Sequence, residues 1–288
     1  MCVLPLLLAL ASDFDGRWNL TVIGEPRSRA WWLEVRGTKG RFVGFPGGDM
    51  NDVDSLAVRD GELTWSFHRN DQRLEYRARR VGDELHGSRG NLRFVGRRAP
   101  VLPDQDGPAW KPGPAVALFN GKNLDGWRAM VSGKDLGWTV KDGLLVNVAG
   151  ANNLVSERKF FNFALRAEYR IHKGSNSGIG LRGRYEIQIL DDFGRPPGSH
   201  GHGALYSRIV PSTNASKPPG EWQTLEVRLV GRQLTVVLNG SKIIDKREVE
   251  GLTAIASDAD EAAPGPITLQ GDHKEVEFRS FVVTPLAR

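Results

Sequence analysis

The stretch YEIQILDD, Tyr185 to Asp192, alternates polar and apolar residues as a β-strand does. Neighbouring strand residues point to opposite faces, so Glu186, Gln188 and Leu190 share one face. Tyr185, Ile187, Ile189 and Asp191 share the other, which is mostly apolar and is expected to pack against a second sheet. The run before it, NSGIGLRGR, repeats the pattern. Asn176, Gly178, Gly180 and Arg182 fall on one face, Ile179 and Leu181 on the other. The two glycines leave room for a ligand to approach the backbone.

Working outward, GWTVKDGLLVN, FALRAEYRIH, GALYSRIV, WQTLEVRLV, RQLTVVLNGSKII, PITLQ and VEFRSFVVTPL are further strand candidates, and helical periodicity is nearly absent. The spacing predicts a C-terminal two-sheet jelly-roll sandwich of the concanavalin type over residues 117–288, with ligands on the polar concave face. Residues 99–116, APVLPDQDGPAWKPGPAV, are proline-rich and without apolar periodicity, which predicts a stiff linker. Ahead of it, residues 13–98 hold about eight short alternating runs with turn signals such as Arg59-Asp60-Gly61. That pattern predicts a small antiparallel β-barrel, lipocalin-like in its GRW opening at Trp18, because closure removes exposed strand edges. Trp31 and Trp32 cannot both face the inside of such a barrel, so one of them is expected to meet the second domain or a partner. The fold class expected is therefore all-β in two domains.

The net charge of +5 over 288 residues is spread evenly between the two halves. Nucleic-acid binding calls for a basic stripe, and none is visible. The single cysteine, Cys2, excludes an internal disulfide and a thiolate metal cluster. Residues 1–12, MCVLPLLLALAS, read as a truncated signal peptide. They are too short to span a bilayer, so a periplasmic or secreted bacterial protein is expected. GIGLRG is not a dinucleotide loop, since no helix is expected to follow it.

LFNGKNLDGW (118–127), NSGIGLRGRYEIQILD (176–191), GALY (203–206), GEW (220–222) and GPITLQGDHKEVEFRSFVVTPL (265–286) together closely resemble the 3-keto-disaccharide hydrolase family, also described as 3-keto-glucoside 1,2-lyase/3-keto-2-hydroxyglucal hydratase. The resemblance covers residues 117–287 and leaves the N-terminal unit outside. It implies an exported protein acting on sugars already oxidised at C3. It also implies a separate sugar 3-dehydrogenase as functional partner, since no nicotinamide site is visible.

A direct glycosidase places two carboxylates across the scissile bond. Glucanases of the laminarinase type carry them on one strand as Glu-x-Asp-x-Glu. Here the last of those positions is Leu190, so Glu186 has no acid partner on its own strand. A 3-keto sugar needs less. The ketone acidifies the C2 proton, one base removes it, the C1 substituent leaves by β-elimination, and water adds back. On this reading Glu186 is the base, His273 the acid for the leaving oxygen, and Arg182 with Gln188 the binders of the enolate or hydroxyls. Glu168, Asn176, Gln270 and Tyr206 are further substrate-binding candidates. Asp191, His200 and His202, around the glycine-rich loop DDFGRPPGSHGHG, are a candidate divalent site for Ca, Mn or Zn that would polarise the ketone. The rival expectation is a lectin-like carbohydrate-binding module. The concave candidates are mostly charged or amide side chains in place of aromatic platforms, which favours chemistry.

Overall fold

The computed structural model describes residues 13–25, 27–44, 48–69 and 71–288. The expected leader, residues 1–12, lies outside them. The described chain is all-β, with no helix, and so with no helix long and apolar enough to cross a membrane.

The N-terminal strands are β1 (Gly16–Ile23), β2 (Ala30–Arg36), β3 (Lys39–Val43), β4 (Asn51–Asp52), β5 (Ser55–Arg59), β6 (Glu62–Arg69), β7 (Gln72–Val81), β8 (Glu84–Arg89) and β9 (Leu92–Arg98). They form one antiparallel sheet in the order β4-β3-β2-β1-β9-β8-β7-β6-β5. Each of the eight alternating runs finds a strand, and the two-residue β4 is additional. β4 and β5 follow each other closely in the chain, yet β4 pairs with β3 and β5 with β6, so this short segment touches both ends of the sheet. Asp60 and Gly61 both take positive φ, 49° and 71°, the geometry of a two-residue hairpin turn.

The remaining strands are β10 (Lys111–Pro112), β11 (Val116–Ala117), β12 (Trp127–Ala129), β13 (Trp138–Lys141), β14 (Leu144–Asn147), β15 (Leu154–Phe160), β16 (Phe163–Ile171), β17 (Asn176–Leu181), β18 (Tyr185–Leu190), β19 (Trp222–Val230), β20 (Gln233–Leu238), β21 (Ser241–Glu248), β22 (Gly265–Leu269) and β23 (Val276–Ala287). One sheet runs β13-β14-β23-β16-β19-β20-β21, with β10 and β11 also on β23, and the other runs β12-β15-β22-β17-β18. Leu165, Ala167 and Phe278 of the first share a core with Ile179, Ile187 and Ile267 of the second. Each Leu, Ile or Phe among them contributes about 1.5–3 kcal/mol by leaving water.

Two expectations change, and one strand is new. GWTVKDGLLVN is a hairpin, because Asp142 and Gly143 both take positive φ. GALYSRIV is not a strand; Leu205 alone bridges Ile187 and Ile209. β15, LVSERKF, carries three charges in a row, and its register with β22 shifts between Val155 and Lys159, so its alternation is broken where a sequence pattern would need it. The proline-rich segment is strapped to the larger sheet. Beyond β10 and β11, Asn162 Nδ2 donates to Asp104 (2.9 Å) and Arg228 Nε to Asp106 (2.8 Å).

The tryptophan pair divides as alternation requires. Trp31 packs in the N-terminal core against Phe42, Tyr76 and Phe94. Trp32, fully buried, belongs to the C-terminal core, with the Arg208 guanidinium 4.1 Å from its ring centre. The two units are further joined by Ala30 N donating to Ala256 O (2.9 Å), Arg41–Glu250 (3.0 Å) and a buried network in which Asn19 Nδ2 donates to Glu261 (2.7 Å). Arg232 forks the same carboxylate at 2.6 and 2.9 Å, and the Tyr185 hydroxyl donates to it.

Candidate active site

Glu186 and Gln188 lie on the face of the five-stranded sheet turned away from the core, since Tyr185, Ile187 and Ile189 fill the core. Thr268, Gly180 and Glu186 lie opposite one another across β22, β17 and β18. Gly178 faces Gln188 in the next row, and Gln270 N donates to Gly178 O (2.9 Å). Both glycines are needed here. A Cβ on Gly178 would overlap Oε1 of Glu186, and one on Gly180 would overlap Oγ1 of Thr268. The bare backbone is the floor on which the carboxylate and the hydroxyl rest.

Glu186 is 4% exposed, and its carboxylate makes no hydrogen bond or ion pair with the described residues. Burial pushes its pKa up to about 8; His273 and Arg27 pull it down and Asp272 adds to the rise. Around it, Gln188 Oε1, Gln270 Oε1 and Thr268 Oγ1 are buried and lack partners among the described residues. Gln188 Nε2 donates to Asn176 Oδ1 at 3.3 Å, which brings Asn176 into the same patch. A buried polar atom left unpaired costs about 1–3 kcal/mol, so three of them beside an unpaired carboxylate mark a surface built for a polar ligand.

His273, just past β22, is half-exposed, with Nδ1 2.9 Å from Asp272 Oδ1. That hydrogen bond holds the imidazole pKa above its ordinary value. Asp272 also meets Arg27 Nη1 and Asn153 Nδ2, each at 3.4 Å. Burial alone would raise the Asp272 pKa, but His273 and Arg27 keep it low. Tyr206 lies on the other side. Its backbone N donates to Glu186 O (2.9 Å), and its ring sits 4.7 Å from that of His200. Burial pushes its phenol up to about 12, with Asp49 and Glu186 adding to the rise, so the hydroxyl keeps its proton.

Several expected site residues are elsewhere. Arg182 takes φ 53° as the first residue of the β17–β18 turn, so strand alternation stops at Leu181. It is 0% exposed, donates to Phe161 O (2.6 Å), Gly231 O (2.9 Å) and Asn162 Oδ1 (3.2 Å), and lies over the Phe161 ring. It braces the fold, and none of its hydrogen bonds goes to the Glu186 patch. Glu168 is on β16, in the other sheet, pairing with Arg166 (2.6 Å) and Arg279 (2.7 Å) on the face away from the core. The expected metal set does not assemble. His202 is buried, Nδ1 facing Leu190 O (2.9 Å) and Nε2 the Tyr169 hydroxyl (2.5 Å). Burial lowers its pKa to about 4, so it is a neutral core residue. Asp191 caps Gly174 N (2.7 Å) and His200 pairs with Asp49 (2.6 Å). Among the described residues no three His, Cys, Asp or Glu side chains gather to hold a metal. Thr268 shares the polar face of PITLQ with Gln270, as alternation requires, whereas Asp272, Asn153, Arg27 and Asp49 are site neighbours that the strand pattern does not foresee. Asp272 adjoins His273 in sequence, a usable signal; for Arg27 and Asp49, in the N-terminal unit, the sequence offers none.

Residues 114–284 match a family model described as the 3-keto-alpha-glucoside-1,2-lyase-like domain, which leaves β1–β9 outside the match. A curated 3-keto-disaccharide hydrolase from Bacteroides thetaiotaomicron is 26% identical over a 228-residue alignment covering 59% of this chain and 78% of the relative. Among solved structures, a candidate glycosyl hydrolase from Parabacteroides distasonis is similar with 26% identity and a TM-score of 0.51, covering 62% of this chain and 91% of the other.

Proposed function

Because the chain belongs to the 3-keto-alpha-glucoside-1,2-lyase-like domain family, we propose that it cleaves 3-keto-glycosides by elimination and rehydration. The glycoside-hydrolase character follows from the family and the curated relative; the route is our reading. Glu186 takes the C2 proton, and the electron pair moves toward the C3 ketone. The enolate then expels the C1 substituent, whose oxygen takes a proton from His273. The product is the C1=C2 enone. Water adds at C1, C2 is reprotonated, and the sum is hydrolysis to a 3-keto sugar and a free alcohol.

The observation that carries this reading is the buried, unpaired Glu186 carboxylate among unpartnered amide and hydroxyl groups. A pKa near 8 makes it a stronger base than an ordinary carboxylate, as removal of a carbon-bound proton requires. Its row neighbours are Gly180 and Thr268, and Asp272 is already committed to Arg27, His273 and Asn153. With Arg182 withdrawn, the Thr268 and Tyr206 hydroxyls are the donors for the enolate oxygen. Losing one such donor costs about 3–4 kcal/mol where this has been measured. A ketone at C3 must be installed first, by a separate oxidoreductase of sugars. We further read the N-terminal sheet as a small closed barrel, since the segment carrying β4 and β5 touches both its ends, and the C-terminal pair as a jelly roll, with residues 99–116 between them.

The test is incubation of the protein with 3-keto-trehalose, 3-keto-sucrose and the unoxidised parents, following free glucose and enone absorbance, with Glu186→Gln in parallel. Turnover of the keto sugars alone, lost in Glu186→Gln, is expected. Binding of the parents without turnover of either set would leave a lectin in place of an enzyme.

A further inference from the structure

Two connections of the N-terminal sheet end at the Glu186 patch. From the β1–β2 connection, Arg27 reaches Asp272 through Nη1, and its other guanidinium donors have no partner among the described residues. From the β3–β4 connection, Asp49 Oδ1 meets His200 Nε2 at 2.6 Å, and the His200 ring lies against Tyr206. These contacts flank the carboxylate. Asp272 follows β22, two strands from Glu186 on one side. On the other, Gly203, Ala204 and Tyr206 cover the outer edge of β18 through hydrogen bonds to Gln188 and Glu186. The Asp49 side is firmly held. Met50 N donates to Ser207 Oγ (2.9 Å), Met50 Sδ takes Arg208 Nη1 (2.9 Å), and Arg208 lies over the buried Trp32.

We propose that the N-terminal unit supplies the leaving-group subsite of the cleft, with Arg27 and Asp49 binding the hydroxyls of the second sugar on opposite sides of Glu186. The proposal rests on the elimination reading above. With C2 of the keto ring at the carboxylate, the C1 substituent has to pass the groups beside it, and the partly exposed Arg27 and Asp49 are held there through Asp272 and through His200 against Tyr206. One donates and the other accepts, as sugar hydroxyls require. Each is already matched by an opposite charge, Arg27 by Asp272 and Asp49 by His200, so the subsite suits a neutral polyhydroxyl group and not an anion. Both side chains are partly exposed and so open to a ligand.

The experiment compares Arg27→Ala, Arg27→Lys and Asp49→Ala with wild type, in the full chain, on 3-keto-trehalose and on methyl 3-keto-α-glucoside, which has no second sugar. The two alanine variants are expected to lose roughly tenfold or more in kcat/KM on the disaccharide, mainly through KM. On the methyl glycoside the loss should be at least about fivefold smaller, what remains there being the effect of these two charges on Glu186, Asp272 and Tyr206, and Arg27→Lys should fall between. Equal losses on both substrates would mean that Arg27 and Asp49 only brace Asp272 and His200; no loss on either would mean they stand outside the cleft. Both results overturn the proposal. If wild type turns over neither keto sugar, the elimination reading falls, and calorimetric titration decides the subsite by itself. A preference for trehalose over glucose that the alanine variants lose supports it. No preference, or one they keep, overturns it.

Discussion

The carboxylate of Glu186 rests over the bare backbone of Gly178, the residue that faces Gln188 across the β17–β18 ladder. A side chain at Gly178 and the observed carboxylate position exclude each other. Gly178→Ala should therefore push Glu186 off the floor and cut kcat by about 10²-fold or more, as small misplacements of a catalytic group do. The strand itself keeps its ladder, so a modest change in Tm is expected beside the loss of rate.

The titration of Glu186 sets the pH dependence. Folded, it holds its proton to about pH 8; only the ionised fraction is a base. The kcat/KM of wild type should be bell-shaped, rising as Glu186 ionises and falling as His273 loses its proton. In His273→Gln the falling limb should vanish, leaving a slower enzyme whose rate climbs to about pH 8 or above before it levels off, since the imidazole no longer lowers Glu186. A profile in that variant that is flat between pH 6 and 9 would remove Glu186 as the titrating base.

The raised pKa also predicts a stability effect of opposite sense to most site mutations. In the unfolded chain Glu186 loses its proton near 4.5, in the folded chain near 8. Between those values the folded state binds more protons, so stability falls as pH rises. Glu186→Gln does not titrate. It should match wild type near pH 4 and gain on it steadily up to about pH 8, by at most about 1.4 kcal/mol for each step of one in pH. Denaturant melts of both proteins at pH 4.5, 6.5 and 8.5 measure this.

Arg182 should behave as a brace. Arg182→Ala takes the Arg182 donor from Phe161 O and Gly231 O in a buried corner, leaves Asn162 Oδ1 with Gly231 N alone, and should destabilise the protein by about 2 kcal/mol or more. The folded fraction should keep its KM. A raised KM with unchanged stability would restore it to the substrate site.

The tie between the units is testable at Trp32. Trp32→Ala opens a cavity in the C-terminal core and removes the ring under Arg208, at a cost of about 3–5 kcal/mol. Trp31→Ala should cost a similar amount in the N-terminal core alone.

Alternation is enough to read most strands and the face of Glu186, because β18 is regular from Tyr185 to Leu190 and its core side is purely apolar. It also separates Trp31 from Trp32. It fails where the backbone leaves the extended region. Arg182 looks like the next polar residue of a strand, but it is a turn residue at positive φ. Glu168 sits on a regular strand, yet no local pattern says which of two sheets that strand joins. His200 and His202 are two apart in sequence and serve different surroundings, one meeting the N-terminal unit and one filling the core. Arg27 and Asp49 arrive from far along the chain, through a docking of two units that only the three-dimensional contacts reveal.

The proposed chemistry depends on removal of the C2 proton of a 3-keto-glycoside by Glu186. The most direct measurement compares cleavage of 3-keto-trehalose with that of the same sugar deuterated at C2 of the keto ring, in wild-type enzyme. Slower cleavage of the deuterated sugar and loss of label into solvent are expected. Equal rates with the label retained at C2 of the released 3-keto-glucose would contradict that proton removal and point to direct displacement at C1.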